Sequence, residues 1–216
     1  MKLIIMASKT MIVGIAGGTG SGKTTFTKLV SKHIEPEDLV VIQHDSYYKD
    51  RSHLSLEERE MFNYDHPDSL DTSLLVEHLK KLVSGQEICI PTYNFNDHSR
   101  NNDPCVVKPA KIIILEGILI LASEKLCELL DLKVFIDVDA DIRFIRRLQR
   151  DLRSRSRSID AIINQYLQTT RVMHEQFVEP SKKYADIIIQ DVTNKVVVEP
   201  IITLIKNRIQ LKDFKT

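Results

Sequence analysis

Eight residues near the start of the 216-residue chain, Gly-Gly-Thr-Gly-Ser-Gly-Lys-Thr at 17–24, have the types and spacing to hold a polyphosphate. Successive backbone N–H groups can wrap an anion only where no Cβ blocks their approach, which Gly17, Gly18, Gly20 and Gly22 allow. Lys23 can reach the outer phosphates as a point charge, and the Thr24 hydroxyl can ligate Mg²⁺. The spacing G-x-x-x-x-G-K-[ST] carries that meaning only between a strand and a helix. Both flanks are present. Met11-Ile-Val-Gly-Ile-Ala16 reads as an apolar strand, and residues 25–33 read as a helix whose positive end faces the same anion. The stretch predicts a nucleoside triphosphate site made by Gly17, Gly18, Thr19, Gly20, Ser21, Gly22, Lys23, Thr24 and Thr25.

Other reactive groups fall where open parallel sheets collect ligands, at the carboxyl ends of strands. Asp45 follows a second strand, residues 39–43, and is itself followed by Ser46-Tyr47-Tyr48-Lys49, which puts aromatics beside a carboxylate. Glu116 ends a third apolar run, where phosphate-loop proteins keep the acidic partner of Mg²⁺. Asp137 or Asp139 ends a fourth. Each alone could be a solvent-exposed strand terminator. Asn63-Tyr64-Asp65-His66-Pro67-Asp68 concentrates polar groups around an aromatic, or simply connects two helices. Residues 93–100 combine Tyr93 and Phe95 with amides, His98 and Arg100, which is either the lining a planar base requires or a hairpin with a polar tip.

Between Asp141 and Arg157 stand seven arginines and two aspartates, a local charge of +5 in a chain whose net charge is zero. Arg143, Arg146, Arg147 and Arg150 share one helical face. Arginine rather than lysine suits fork-like recognition of phosphates, and such a helix opposite a phosphate loop would act as a lid. The competing readings are a solvated basic helix and an RNA-contacting patch. The lack of interleaved aromatics and the overall neutrality count against nucleic acid.

The elements that position these groups alternate short β-branched runs with helical patterns, which implies a parallel sheet covered on both faces. Strands are expected at 11–16, 39–43, 111–117, 133–137 and 185–189. Helices are expected at 54–62 (opened by a Ser55–Glu58 capping box), at 71–85, from 140 to 177 with a break near 154–158, and at 196–211. The proline-punctuated stretch 88–109 suits short extended pieces. These features predict a single α/β domain over 1–216 with five core parallel strands, a small β insertion around 88–109, an N-terminal extension at 1–10 and an arginine-rich helical lid at about 140–158. Cys89, Cys105 and Cys127 form no C-x-x-C pair and are expected to be buried thiols, as in a reducing compartment. The apolar run at the N-terminus is too short for a signal-peptide core, and no stretch reaches membrane-spanning length, so a cytoplasmic protein without membrane contact is expected.

Taken in order, GGTGSGKT (17–24), HDSYYKD (44–50), NYDHPDSLD (63–71), PTYNFNDHSR (91–100), ILEGILIL (114–121), DVDADIRFIRRLQRDL (137–152) and KKYADIII (182–189) resemble the uridine-cytidine kinase family of phosphate-loop nucleoside kinases. The resemblance runs from about Met11 to Leu211. It implies the three-layer phosphate-loop fold and ATP-dependent phosphorylation of uridine and cytidine at the 5′-hydroxyl, with ATP or GTP as donor and Mg²⁺ as cofactor. By the same resemblance, Asp45 would be the general base, with Tyr48 beside it. Asp65, Arg147 and Gln165 would hold the ribose hydroxyls and so exclude deoxynucleosides. Tyr93 and His98 would read position 4 of the pyrimidine between the walls Phe95 and Tyr64, and Arg157 would touch the base. Arg150 and Arg155 would contact the phosphates beside Lys23, while Thr24, Glu116 and Asp45 would surround the metal. A homo-oligomer, often a tetramer, is usual in the family. The chain departs from the family in Ser156, where glycine is usual between the last two lid arginines, in a shortened loop at 190–194, and in Tyr64, where phenylalanine is common. Phosphoribulokinase-like and pantothenate kinase-like relatives are the nearest alternatives. A guanine-nucleotide switch is disfavoured because Asn194-Lys195 is followed by Val196-Val197 rather than by the acid that pairs guanine.

Overall fold

Strand β1 (Met11–Gly17) is buried at all seven positions, which only a central strand covered on both faces can be. The computed structural model, which describes residues 10–95, 97–101, 103–154 and 158–210, places it in the middle of one five-stranded sheet. The other strands are β2 (Leu39–Gln43), β7 (Ile112–Glu116), β8 (Leu132–Ile136) and β9 (Ile187–Ile189), all parallel, in the order β2-β7-β1-β8-β9. The two intervening antiparallel pairs, β3 (Ile88–Ile90) with β6 (Cys105–Val107) and β4 (Tyr93–Asn94) with β5 (Ser99–Arg100), make the expected insertion.

The period-two alternation of the strands sorts their side chains into two cores. Met11, Val13, Ile15, Ile112, Ile114, Val134 and Ile136 face α1 (Lys23–Ser31), through Phe26 and Val30, and α9 (Lys195–Gln210), through Val198, Ile201, Ile202 and Ile205. Ile12, Ala16, Ile113, Leu115 and Phe135 face the other way, onto Leu75, Leu79 and Leu82 of α3 (Thr72–Val83). The result is three layers. Helix α3 is capped by Asp71, whose Oδ1 accepts from the Leu74 N–H at 3.2 Å, and stops at Gly85, where φ is +83°. Helix α2 (Leu56–Glu60) carries the Ser55–Glu58 capping box in both directions but is shorter than its sequence pattern suggests.

After β8 and the loop at 137–139, α5 (Ala140–Ser154) carries the arginines. Residues 155–157 lie outside the described residues, and so do the expectations for Arg155, Ser156 and Arg157; the first nine residues of the N-terminal extension lie outside as well. The chain resumes in α6 (Ile159–Gln165), capped by Ser158. It continues through a π turn at Tyr166–Thr170, α7 (Arg171–Met173), a second π turn at His174–Val178 and α8 (Glu179–Ser181). Among the described residues no helix is long and apolar enough to cross a membrane.

The cysteines depart from expectation. Cys89 and Cys105 are exposed, and Cys127 is half-buried. Cys89 alternates outward between the buried Ile88 and Ile90 on a two-stranded sheet that has only one covered face, so its apolar neighbours in sequence say nothing about its own burial.

Candidate active site

The phosphate loop starts from β1, and its glycines are needed for two separate reasons. Gly17, Gly20 and Gly22 have φ of +139°, +77° and +104°, the left-handed side that L residues avoid. Gly18 is different: a Cβ there would lie 2.5 Å from Nη1 of Arg143, and one on Gly20 would strike the Arg143 carbonyl. The start of α5 therefore packs directly on the loop, so part of the glycine requirement comes from the protein rather than from a bound anion. Arg143 is buried, donates from Nε to the Val138 carbonyl at 2.8 Å and from Nη2 to Nε2 of His174 at 3.1 Å. Burial, with the Arg143 guanidinium adding to it, pushes the His174 imidazole down to about 4, so it is the neutral acceptor that this bond needs.

Helix α1 begins with Gly22 at its N-cap, with no side-chain cap and no acidic residue in its first turn. Its first amides are thereby left for an anion. Lys23 folds back, its Nζ donating to the carbonyls of Gly17 at 2.9 Å and Gly18 at 3.0 Å. Burial lowers its ammonium to about 8, against the opposing pull of the Asp45 and Glu116 carboxylates. Glu116, at the end of β7, is nearly fully buried and collects three donors: Thr24 Oγ1 at 3.1 Å, Thr27 Oγ1 at 2.8 Å and Gln43 Nε2 at 3.1 Å. Ser21 is fully buried under the loop.

Two cavities meet here. The first, of about 560 Å³, is lined by the loop (Thr19, Gly20, Gly22, Lys23, Thr24, Thr25), by Gln43, Asp45 and Glu116, and by Arg146, Gln149, Arg150 and Arg153 of α5. The second, of about 70 Å³, is lined by Tyr48, Tyr64, Asp65, Tyr93, Phe95, His98, Arg147 and Gln165. Thr19, Asp45, Phe95, Ile118 and Arg150 border both. Asp45 holds this junction because the chain tightens into a 3₁₀ turn (His44–Tyr47) immediately after β2.

Aromatic side chains form the walls of the smaller cavity. Tyr48 has its ring centroid 5.4 Å from that of Tyr64, 5.0 Å from that of Tyr93 and 6.5 Å from that of Phe95. His98 lies flat on Tyr64, with centroids 4.5 Å and planes 15° apart. The β4–β5 hairpin aims it there by placing it at φ +53°, a conformation that histidine adopts more readily than most residues. Asp97 fixes the tip by accepting from Asn94 Nδ2 at 2.9 Å and from the backbone N–H of Ser99 at 3.1 Å. The polar side of the cavity is set by α5 and the helical run after it. Arg147 Nη2 donates to Gln165 Oε1 at 2.7 Å, and Thr170 Oγ1 donates to Asp65 Oδ2, also at 2.7 Å.

The structure divides the arginine face. Arg143 and Arg147 point inward and are buried, whereas Arg146, Arg150 and Arg153 line the phosphate-loop cavity. Asp137 binds Lys182 at 3.2 Å and lines neither cavity, and Asp139 does not line them either, so the fourth strand supplies no acid to this site. Sequence reasoning missed Gln43, Thr27, Asp151, Thr170 and His174. Asp151 is fully buried, 2.8 Å from Arg150 Nε and 3.6 Å from Arg147 Nε. Its place four residues after Arg147 was a readable signal. Thr170 and His174 had none, because their contacts cross the fold.

The chain matches the family described as Phosphoribulokinase / Uridine kinase family over residues 12–198. It is 50% identical over 206 residues to a uridine kinase of Clostridium tetani, covering 95% of this chain and 99% of that one. It is 49% identical over 208 residues to a uridine kinase of Halalkalibacterium halodurans, covering 96% and 99%. Among solved structures, phosphoribulokinase from Rhodobacter spheroides superposes with a TM-score of 0.59 at 14% identity, over 87% of this chain and 74% of the other, a likeness of fold.

Proposed function

Because the chain belongs to the Phosphoribulokinase / Uridine kinase family, we propose that it transfers the γ-phosphoryl group of ATP to the 5′-hydroxyl of uridine and of cytidine. It is a nucleoside kinase. The observation that carries the reading is the junction of the two cavities at Asp45, with a triphosphate cradle on one side and an aromatic, diol-sized polar site on the other. Phosphoryl transfer needs the two reactants in line and little covalent help from the protein, so a carboxylate at their meeting point suits the base that takes the hydroxyl proton.

On the donor side, the uncapped N-terminus of α1 and the glycine backbone hold the phosphates, Lys23 leaves its loop carbonyls for them, and Arg150 offsets charge that develops between the substrates. Mg²⁺ prefers one or two carboxylates, substrate phosphates and several waters. Thr24 and Glu116, already bonded to each other and facing the cleft with Asp45, fit that requirement. When bound, the ion would neutralise charge on the transferring phosphoryl group. On this reading the donor base would extend toward a groove of about 640 Å³ that shares Thr25 with the cleft and includes Val192 and Thr193.

On the acceptor side, Asp65, Arg147 and Gln165 supply the acceptors and donors for the ribose hydroxyls, and Tyr93 and His98 face the base between Phe95 and Tyr64. A neutral imidazole donates to a carbonyl in one tautomer and accepts from an amino group in the other, so uracil and cytosine are both served. As it stands, the cavity is far smaller than the ~300 Å³ usual for a bound small molecule. A nucleoside would therefore extend toward the larger cavity with which this one shares a border, or part the His98–Tyr64 stack and the Arg147–Gln165 bond.

A coupled assay with ATP-Mg²⁺ and a nucleoside panel tests the reading. Turnover is expected for uridine and cytidine and not for purine nucleosides, 2′-deoxyuridine, ribulose 5-phosphate or pantothenate; turnover of either of the last two with none of uridine would overturn it. His98→Ala is expected to raise the KM for uridine about tenfold, the loss of one directed hydrogen bond and a stacking face, with the KM for ATP within about twofold. Equal rises in both constants would remove His98 from the base site.

A further inference from the structure

Two threonines stand side by side in the helical run beside the acceptor cavity, and they behave differently. Thr169 makes the bond usual for a helical threonine, its Oγ1 donating to the Gln165 carbonyl four residues back at 2.9 Å. Thr170 instead sends its hydroxyl across the fold to Oδ2 of Asp65 at 2.7 Å, and its side chain is buried, with the residue 4% exposed. A hydroxyl so placed on a carboxylate makes a short, charge-assisted bond.

The backbone puts it there. Five residues along an α-helix turn the side chain by ~140°, so Gln165 and Thr170 would project to different sides of a regular helix. The chain is a π turn over Tyr166–Thr170, and the Arg171 N–H reaches the Tyr166 carbonyl five residues back. That wider turn brings residue 170 round toward the side of residue 165. Gln165 then holds Arg147 and Thr170 holds Asp65, each at 2.7 Å, and Gln165, Arg147 and Asp65 all line the smaller cavity.

We infer that Thr170 is a positioning residue for the acceptor sugar, and that the π turn serves to bring it into register beside Gln165. The inference rests on the reading of Asp65 as the partner of the ribose hydroxyls. An ionised carboxylate has room for about four donors, so the Thr170 bond leaves capacity for a vicinal diol while fixing the plane in which the diol is met. Holding a binding group in its productive orientation before the substrate arrives spares the cost of ordering it afterwards.

Steady-state kinetics with uridine and ATP-Mg²⁺ on the full chain test this. Thr170→Val, which keeps the shape and removes the donor, is expected to raise the KM for uridine about tenfold, the loss of one hydrogen bond to a charged group, with the KM for ATP and kcat within about threefold. Thr170→Ser restores the donor and is expected to fall within about threefold of the parent. If the valine variant does not fold, Thr170→Ala carries the same expectation. A folded valine or alanine variant with an unchanged KM for uridine overturns the inference. So does a serine variant as impaired as the valine one, because methyl packing would then be the cause. A parent enzyme that does not phosphorylate uridine at all would instead remove the functional reading, and that outcome appears before any variant is compared.

Discussion

Asp45→Asn is expected to lower kcat for uridine by about 10²–10⁴-fold, the range lost when a positioned base is removed. Asparagine keeps the size of the side chain and most of its hydrogen-bonding shape but cannot take up a proton at neutral pH. Asp45 borders both cavities and sits on a 3₁₀ turn that begins directly after a strand of the central sheet, so the substitution changes the chemistry at the junction without moving the scaffold. The KM for ATP is expected to stay within about threefold, because on the proposed reading the loop glycines, Lys23 and the start of α1 would hold the nucleotide. Thermal unfolding should shift little. Rapid-quench measurement of the transfer step separates chemistry from product release, and near-normal single-turnover transfer in the variant would exclude Asp45 as the base.

Lys23→Met is expected to reduce kcat/KM for ATP by at least about 10²–10³-fold, the effect of removing one preorganised donor from developing charge. Its ammonium lies between two loop carbonyls at the edge of the phosphate cleft, so its loss removes the point charge that can move from the carbonyls to the outer phosphates. The same residue gives a pH signature in the parent enzyme. Burial lowers its ammonium to about 8, so in the free enzyme the charge is present below that pH and lost above it. The value of kcat/KM for ATP should therefore fall on the alkaline side with a midpoint near pH 8. The value of kcat should hold to higher pH, because bound phosphates restore the charged form. For stability the sign is opposite. The folded-state pKa lies below the ordinary 10.5, so between about 8 and 10.5 the unfolded chain binds more protons and this group alone makes stability rise with pH. A kcat/KM profile that stays flat to pH 9.5 would show that Lys23 remains charged and that the carboxylates outweigh burial.

Much of the proposed donor half is legible in the amino-acid sequence, for a physical reason. A phosphate loop is a local device: strand, glycine turn and helix start are contiguous, and the residues proposed to bind lie within nine positions of one another. The five strands were legible too, because the three central strands are buried at nearly every position and even the edge strands β2 and β9 keep short apolar runs. What sequence patterns mis-stated were properties set by neighbours distant in the chain. Apolar surroundings in sequence suggested buried cysteines, whereas the two-stranded insertion leaves Cys89 and Cys105 outside. The glycines at 18 and 20 read as room for phosphate, whereas the start of α5 also demands them. Helical spacing put four arginines on one face, whereas burial separates Arg143 and Arg147, which are packed inside, from Arg146 and Arg150, which line the loop cavity.

The sequence by itself determined the strand–loop–helix that would hold a triphosphate, the acid after the second strand, and the aromatic and polar segments from which an acceptor site could be made. Only the tertiary structure decided that these segments meet at Asp45. Only it decided which carboxylate gathers Thr24, Thr27 and Gln43, and that a π turn sets Gln165 and Thr170 against Arg147 and Asp65. The reason is range. Glycine conformations, caps and strand patterns are fixed within a few residues, but Thr170 and Asp65 are 105 positions apart, and only the packing of the layers brings their oxygens to 2.7 Å.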